Sequence, residues 1–151
     1  MSITEKISHA AERKAFETVL DSMLKKGQTQ DVGGCVAGGK IYCHINAAGD
    51  VEPCVFIHYS GANIREKSFL ECLQQPLFKL YRKGQPFNGN HLRPCPMLEN
   101  PELLPKLVAD SGAHSTDLEA PESAEHLCAK CKEYAAHWKP EAEKLWAENH
   151  S

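Results

Sequence analysis

GGCVAGGKIYCHINAAGDVEPC, running from Gly33 to Cys54, is the stretch on which the fold turns. It opens with Cys35 in a glycine-rich loop and closes on Cys54, directly after Pro53. Between them Ile41, Cys43 and Ile45 alternate with Tyr42, His44 and Asn46, the period of a half-buried strand. Gly49 and Asp50 mark residues 47–50 as a turn. A return strand is expected from Val51 to about Ile57, at a sheet edge or interrupted at Pro53, which has no N–H to donate. Such a hairpin is marginal alone and needs something to pack on.

Helices are expected on both sides of it. Ser2 and Glu5 form a capping-box pattern, and Ile7, Ala11, Ala15, Val19 and Met23 recur at helical spacing before Gly27. Residues 1–32 thus read as an N-terminal helix and linker. Ser68 and Glu71 form a second capping box, and Pro76 opens a helix that stops at Gly84. Residues 85–98, with three prolines, form a long loop carrying Cys95. Asn100 and Pro101 start another helix, with Pro105 inside it. A polar loop, HSTDLEAPES, leads to a helix from about Ala124 to Trp138, and Pro140 starts a last one ending near Trp146. The pattern predicts an α+β fold, helix-rich, in which a two-stranded hairpin is followed by several helices and long loops. Residues 33–151 are expected to form one compact unit.

The 151 residues carry a net charge of −3. That balance leaves no electrostatic footprint for nucleic acid or an anionic membrane. No apolar run approaches the roughly 20 residues of a membrane helix. The N-terminal residues lack the apolar core of a signal peptide. A cytoplasmic protein that engages neither nucleic acid nor membrane is expected.

Seven cysteines are the compositional oddity. In a reducing compartment they serve as metal ligands, redox groups or small core residues rather than as disulfides. Small residues around Cys35 let backbone N–H groups approach its sulfur. Cys54 lies at the open end of the hairpin, and Cys95 is locked between Pro94 and Pro96. Cys128 and Cys131 share one helix face by their spacing. They also fit the apolar stripe Leu127, Cys128, Cys131, Tyr134, Ala135 and Trp138 as core residues, so both readings stand for them. Four thiolates complete a Cys₄ shell. The first choice is Cys35, Cys54, Cys95 and Cys128, with Cys131 as the substitute. Cys43 and Cys72 read as core. No HExxH spacing is present, which argues against a hydrolytic metal site, and His58 and His91 read as loop or partner-contact residues.

The cysteine spacing from Cys35 to Gly49-DVEP-Cys54 resembles the opening of the SPASM/twitch domains that follow the catalytic barrel in radical S-adenosylmethionine enzymes. SFLECLQQPLFKLYRKGQP resembles the helix–proline–helix that follows the hairpin there. HLRPCPMLENPELL and the tail CAKCKEYAAHWKPEAEKLW resemble one branch of uncharacterised radical enzymes. The resemblance implies an auxiliary [4Fe–4S] domain, serving electron transfer or substrate anchoring. Its partners would be a radical S-adenosylmethionine barrel or that barrel's peptide or small-molecule substrate. The dense four-cysteine run of two-cluster SPASM domains is missing, so one cluster is implied. The barrel's C-x3-C-x2-C motif is missing too, so these 151 residues are not expected to be catalytic alone. A structural Cys₄ zinc module is the alternative.

Overall fold

Asn46 and Gly49 set up the hairpin. The Asn46 side-chain oxygen accepts the N–H groups of Ala48 (2.9 Å) and Asp50 (3.0 Å). Gly49 has φ +93°, and a Cβ there would lie 2.8 Å from Asn63 Oδ1. Strands β1 (His44–Ile45) and β2 (Val51–Glu52) then pair antiparallel, His44 opposite Glu52 and Ile45 opposite Val51. This computed structural model describes residues 33–150. The chain divides into two compact units, Met1–Asp31 and Val32–Ser151, and the described residues belong to the second. The helix expected near the N-terminus lies outside the described residues.

The hairpin is shorter than its alternation suggests, and its faces are exchanged from His44 to Asn46, whereas Cys43 packs on the core and Tyr42 is exposed as expected. Ile41 and Ile45 are exposed, whereas His44 and Asn46 turn towards the protein. The cause is Glu52, which is fully buried and draws these two polar side chains inward. Pro53 ends β2, as its missing N–H requires.

A second two-stranded sheet was not expected from the sequence. Strand β3 (Tyr59–Ser60) pairs antiparallel with β4 (His114–Ser115), a segment that reads as polar loop. Its ladder is carried by backbone alone and leaves no hydrophobic alternation to detect. The two sheets are joined by the buried Ser60 hydroxyl, which donates to Val51 O at 2.7 Å.

Five helices follow among the described residues. Helix α1 (Phe69–Cys72) carries the full capping box: Glu71 N–H reaches Ser68 Oγ, and Ser68 N–H reaches Glu71 Oε2 at 2.9 Å. Helix α2 (Pro76–Gly84) starts at its proline. Helix α3 (Leu103–Ser111) tolerates Pro105 because that residue sits in the first turn, where N–H groups have no intrahelical partner. Gly112 caps it with φ +67°.

The last two helices divide elsewhere than expected. Helix α4 (Ala124–Ala129) ends at Lys130, and α5 (Lys132–His150) runs straight through Pro140. The proline frees the carbonyl of Ala136, which is on an exposed residue where water can take it. Tyr134, counted in the apolar stripe, is 47% exposed.

Helix α2 packs on α3, and α3 on α4. The main core joins Leu77 and Tyr81 of α2, Leu104 of α3 and Cys128 of α4 to Cys54 and Ile57. Each large side chain of this kind contributes about 1.5–3 kcal/mol by burial. A smaller cluster holds Val51, Phe78 and Cys72, with Cys43 packed against it. Among the described residues no helix is long and apolar enough to cross a membrane.

Candidate iron–sulfur centre

Cys35 lies in the loop that precedes the hairpin. That loop is tied down from two sides. Gly38 N–H donates to Pro53 O at 3.0 Å, which binds it to the chain just before Cys54. Arg82 of α2 donates to Gly38 O at 3.3 Å. Gly38 has φ +67°, and a Cβ on it would stand 2.5 Å from the Tyr81 ring, so only glycine lets the loop lie on α2. The Ala37 N–H acts on the Cys35 sulfur and favours its thiolate form.

Cys54 is buried at a tight turn closed by Ile57 N–H donating to Cys54 O at 3.2 Å. N–H groups of Phe56 and Ile57 and the Tyr42 hydroxyl act on its sulfur and favour its thiolate form. Two residues earlier, the buried Glu52 carboxylate anchors the same strand. It accepts His44 Nδ1 (2.7 Å), His58 Nδ1 (3.1 Å), Asn46 Nδ2 (3.1 Å) and Thr116 Oγ1 (2.5 Å). Both β1 and the segment after β4 thus hold the strand that delivers Cys54.

Cys95 sits in the proline-rich loop. Met97 and Leu98 N–H groups both donate to its sulfur at 3.4 Å. The Cys95 N–H donates to Glu99 Oε2 at 2.8 Å, and Asn100 holds Cys95 O through its N–H (3.1 Å) and Nδ2 (2.9 Å). Glu99 and Asn100 therefore fix this loop, a role that sequence reasoning did not assign to them. The signal was available in C-x3-E-N, an acidic and an amide side chain one turn beyond a cysteine that prolines keep out of a helix.

Cys128 is buried in α4 and lies in the main core with Cys54. Cys131 stands at the break between α4 and α5, half-buried, its thiol donating to Leu127 O at 3.9 Å. Burial and then the Glu99 charge raise the Cys131 thiol, whereas burial, Cys131 and Cys95 raise that of Cys128. Cys43 and Cys72 lie in the smaller cluster beside each other. Among the described residues, no three His, Cys, Asp or Glu side chains converge closely enough to clasp a single metal ion.

Electrostatics follows from this burial. Desolvation pushes the Cys95 thiol up to about 11 and the Cys128 thiol up to about 12, and neighbouring cysteines and carboxylates add to it. Burial also raises Cys35 and Cys54, opposed by the N–H groups on their sulfurs. Metal-free, these groups are neutral thiols near pH 7.

Four buried polar atoms lack a partner among the described residues: Tyr81 Oη, Gln85 Oε1, Asn90 Nδ2 and Arg93 Nε. Tyr81 is fully buried, and its hydroxyl makes no hydrogen bond among the described residues. Cys35, Cys95 and Cys54 are the ionisable groups that act on it most strongly. A sulfur-rich donor set, N–H groups acting on three of the sulfurs and an unsatisfied hydroxyl in the core with Cys54 and Cys128 fit a thiolate-held iron–sulfur group.

These features define a small α+β domain whose site chemistry is that of buried sulfur ligands. Residues 35–97 match the family model of SPASM, described as an iron-sulfur cluster-binding domain. The matched segment contains Cys35, Cys54 and Cys95. Cys128 and Cys131 lie beyond it. No curated protein and no solved structure matches the chain.

Proposed function

We propose that Cys35, Cys54, Cys95 and Cys128 hold one [4Fe–4S] cluster, as an auxiliary centre related to those of radical S-adenosylmethionine enzymes. The observation that carries this reading is shared backbone geometry. The N–H of the residue two positions on acts on the sulfur of each of Cys35, Cys54 and Cys95, from three separate loops, and at Cys95 it is a hydrogen bond of 3.4 Å. Hydrogen bonds of this kind stabilise thiolate sulfur and tune a cluster's potential. Cys128 is favoured over Cys131 because it lies in the same core as Cys54 and Cys95 acts on it, whereas Glu99 acts on Cys131.

A bound cluster would supply one-electron transfer or an iron site that anchors a substrate. The protein's part is to keep the sulfurs dry and fixed. Its partner would be a radical S-adenosylmethionine barrel or that barrel's substrate, in the cytoplasm. A zinc ion would need its thiolates about 3.8 Å apart, given Zn–S bonds near 2.3 Å in a tetrahedron. Metal and sulfide analysis separates that arrangement from the larger cluster.

Anaerobically purified protein is expected to be brown, to absorb near 400 nm and to contain about four iron and four sulfide per chain. A colourless protein with one tightly held zinc would establish the structural-zinc reading instead. A colourless, metal-free protein that still unfolds cooperatively would remove both.

A further inference from the structure

We infer that the Tyr81 hydroxyl donates a hydrogen bond to a sulfur of the group held by Cys35, Cys54 and Cys95, and so raises its reduction potential. This rests on the cluster reading above and adds a side-chain contact to it.

The ring of Tyr81 is fixed on every side that the structure defines. It packs edge-on against Phe87, with centroids 5.0 Å apart at 87°. Gly38 lies so close beneath that even a methyl group would collide with the ring. The side chain sits in the core that contains Cys54 and Cys128, with Cys35 packed against it. An aromatic ring held this way cannot swing its hydroxyl out to water.

Yet that hydroxyl has no partner among the described residues. A buried O–H without an acceptor is unfavourable, and phenylalanine would fill the same space without that penalty. The hydroxyl needs an acceptor that the metal-free thiols do not provide. Neutral thiols are weak acceptors, whereas thiolate and sulfide in a cluster carry negative charge and accept strongly. Tyr42 is the contrasting case. It is 43% exposed, so water can satisfy it in either state.

Hydrogen bonds to sulfur stabilise the more negative, reduced cluster and so raise its potential. The test compares wild type with Tyr81→Phe, each in metal-free and loaded form. Metal-free Tyr81→Phe is expected to melt at or above the wild-type temperature, since an unsatisfied hydroxyl is removed. Loaded Tyr81→Phe is expected to show a more negative midpoint potential and to lose iron to a chelator about fivefold faster, the factor one net hydrogen bond contributes. Replacing Tyr81 by 3,5-difluorotyrosine, a stronger donor on the same ring, is expected to shift the potential the other way. If Tyr81→Phe takes up no cluster while its metal-free form melts normally, the hydroxyl is needed for retention, the same assignment in stronger form. Unchanged potential and iron loss in the loaded variants overturn the inference while leaving the cluster reading intact. A large loss of metal-free stability overturns it too, because the hydroxyl is then a structural partner. Wild-type protein without iron or sulfide defeats the parent reading instead.

Discussion

Cys54 and Cys95 repeat one local structure from two unrelated loops. Each follows a proline directly, and N–H groups of the residues two and three positions on act on each sulfur, at 3.4 Å in the case of Cys95. The proline limits the backbone before the cysteine, and the turn after it aims successive N–H groups at sulfur. Removing either sulfur leaves those donors without an acceptor and the site without a ligand. Cys54→Ala and Cys95→Ala are each expected to abolish iron and sulfide loading. Cys43→Ala and Cys72→Ala are expected to retain it, although Cys72→Ala costs about 1–2 kcal/mol because its thiol fills the smaller core. Iron and sulfide analysis with chemical denaturation reads both effects. Full loading of either Cys54→Ala or Cys95→Ala would contradict the ligand assignment.

The break between α4 and α5 separates the two remaining candidates. Cys128 points into the core from α4, and Cys131 sits on the break with its thiol bonded to Leu127 O. Cys128→Ser is expected to lower cluster content and to change the electron paramagnetic resonance spectrum of the reduced form. Cys131→Ser is expected to leave both close to wild type. The reverse pattern would make Cys131 the fourth ligand.

The sequence marks the candidate cysteines more clearly than it marks the sheets. Cys35, Cys54 and Cys95 stand out because glycine and proline beside a cysteine signal a rigid, close-approaching loop, which is a local property. Capping at Ser68 and the proline start at Pro76 are local too, and both are present. The inverted hairpin face was not legible. Whether His44 or Ile45 points inward depends on Glu52, and a glutamate is not expected to be fully buried until its four partners are known. Thr116, one of those partners, arrives from beyond the unrecognised strand β4. The orphaned Tyr81 hydroxyl was equally hidden, because burial of its ring is set by Gly38 and Phe87 together.

The Glu52 knot yields a stability prediction. Its carboxylate oxygens accept from two imidazoles, an amide and a hydroxyl. Glu52→Gln keeps the shape but turns an NH₂ towards donors, leaving buried groups unsatisfied. A loss of about 2–4 kcal/mol is expected by chemical denaturation, together with weaker cluster retention because the strand leading to Cys54 loosens. His44→Gln, at a half-exposed site, is expected to cost about 1 kcal/mol. Equal, near-zero effects of both would show that the knot does not hold the hairpin.

Gly38 tests the contact between the Cys35 loop and α2. Alanine there would adopt φ +67° and press its Cβ into the Tyr81 ring at 2.5 Å. The left-handed conformation and the collision together are expected to cost about 2–4 kcal/mol. Gly112 has the same φ, but no atom lies within 4 Å of the position its methyl group would take. Gly112→Ala should therefore carry only the conformational part, about 1 kcal/mol. If both alanines cost the same, the ring contact contributes nothing.

Acid and base should act in opposite ways on the metal-free and the loaded protein. In the metal-free fold, thiol pKa values are raised from about 9 to about 11 at Cys95 and about 12 at Cys128. The folded state therefore prefers the neutral thiol. Stability from this source is complete below pH 9 and is lost as pH rises through the folded values, when the unfolded chain ionises first. A denaturation series from pH 7 to pH 11 should show a plateau followed by a fall. Cluster uptake has the reverse slope. Each ligand binds as thiolate, so loading from neutral thiols releases roughly four protons per cluster, and retention weakens as pH falls. Cys95→Ala and Cys128→Ala should flatten the alkaline fall of the metal-free form, since each removes one strongly raised thiol. A metal-free protein whose stability stays level to pH 11 would mean that these sulfurs are not buried as the fold places them.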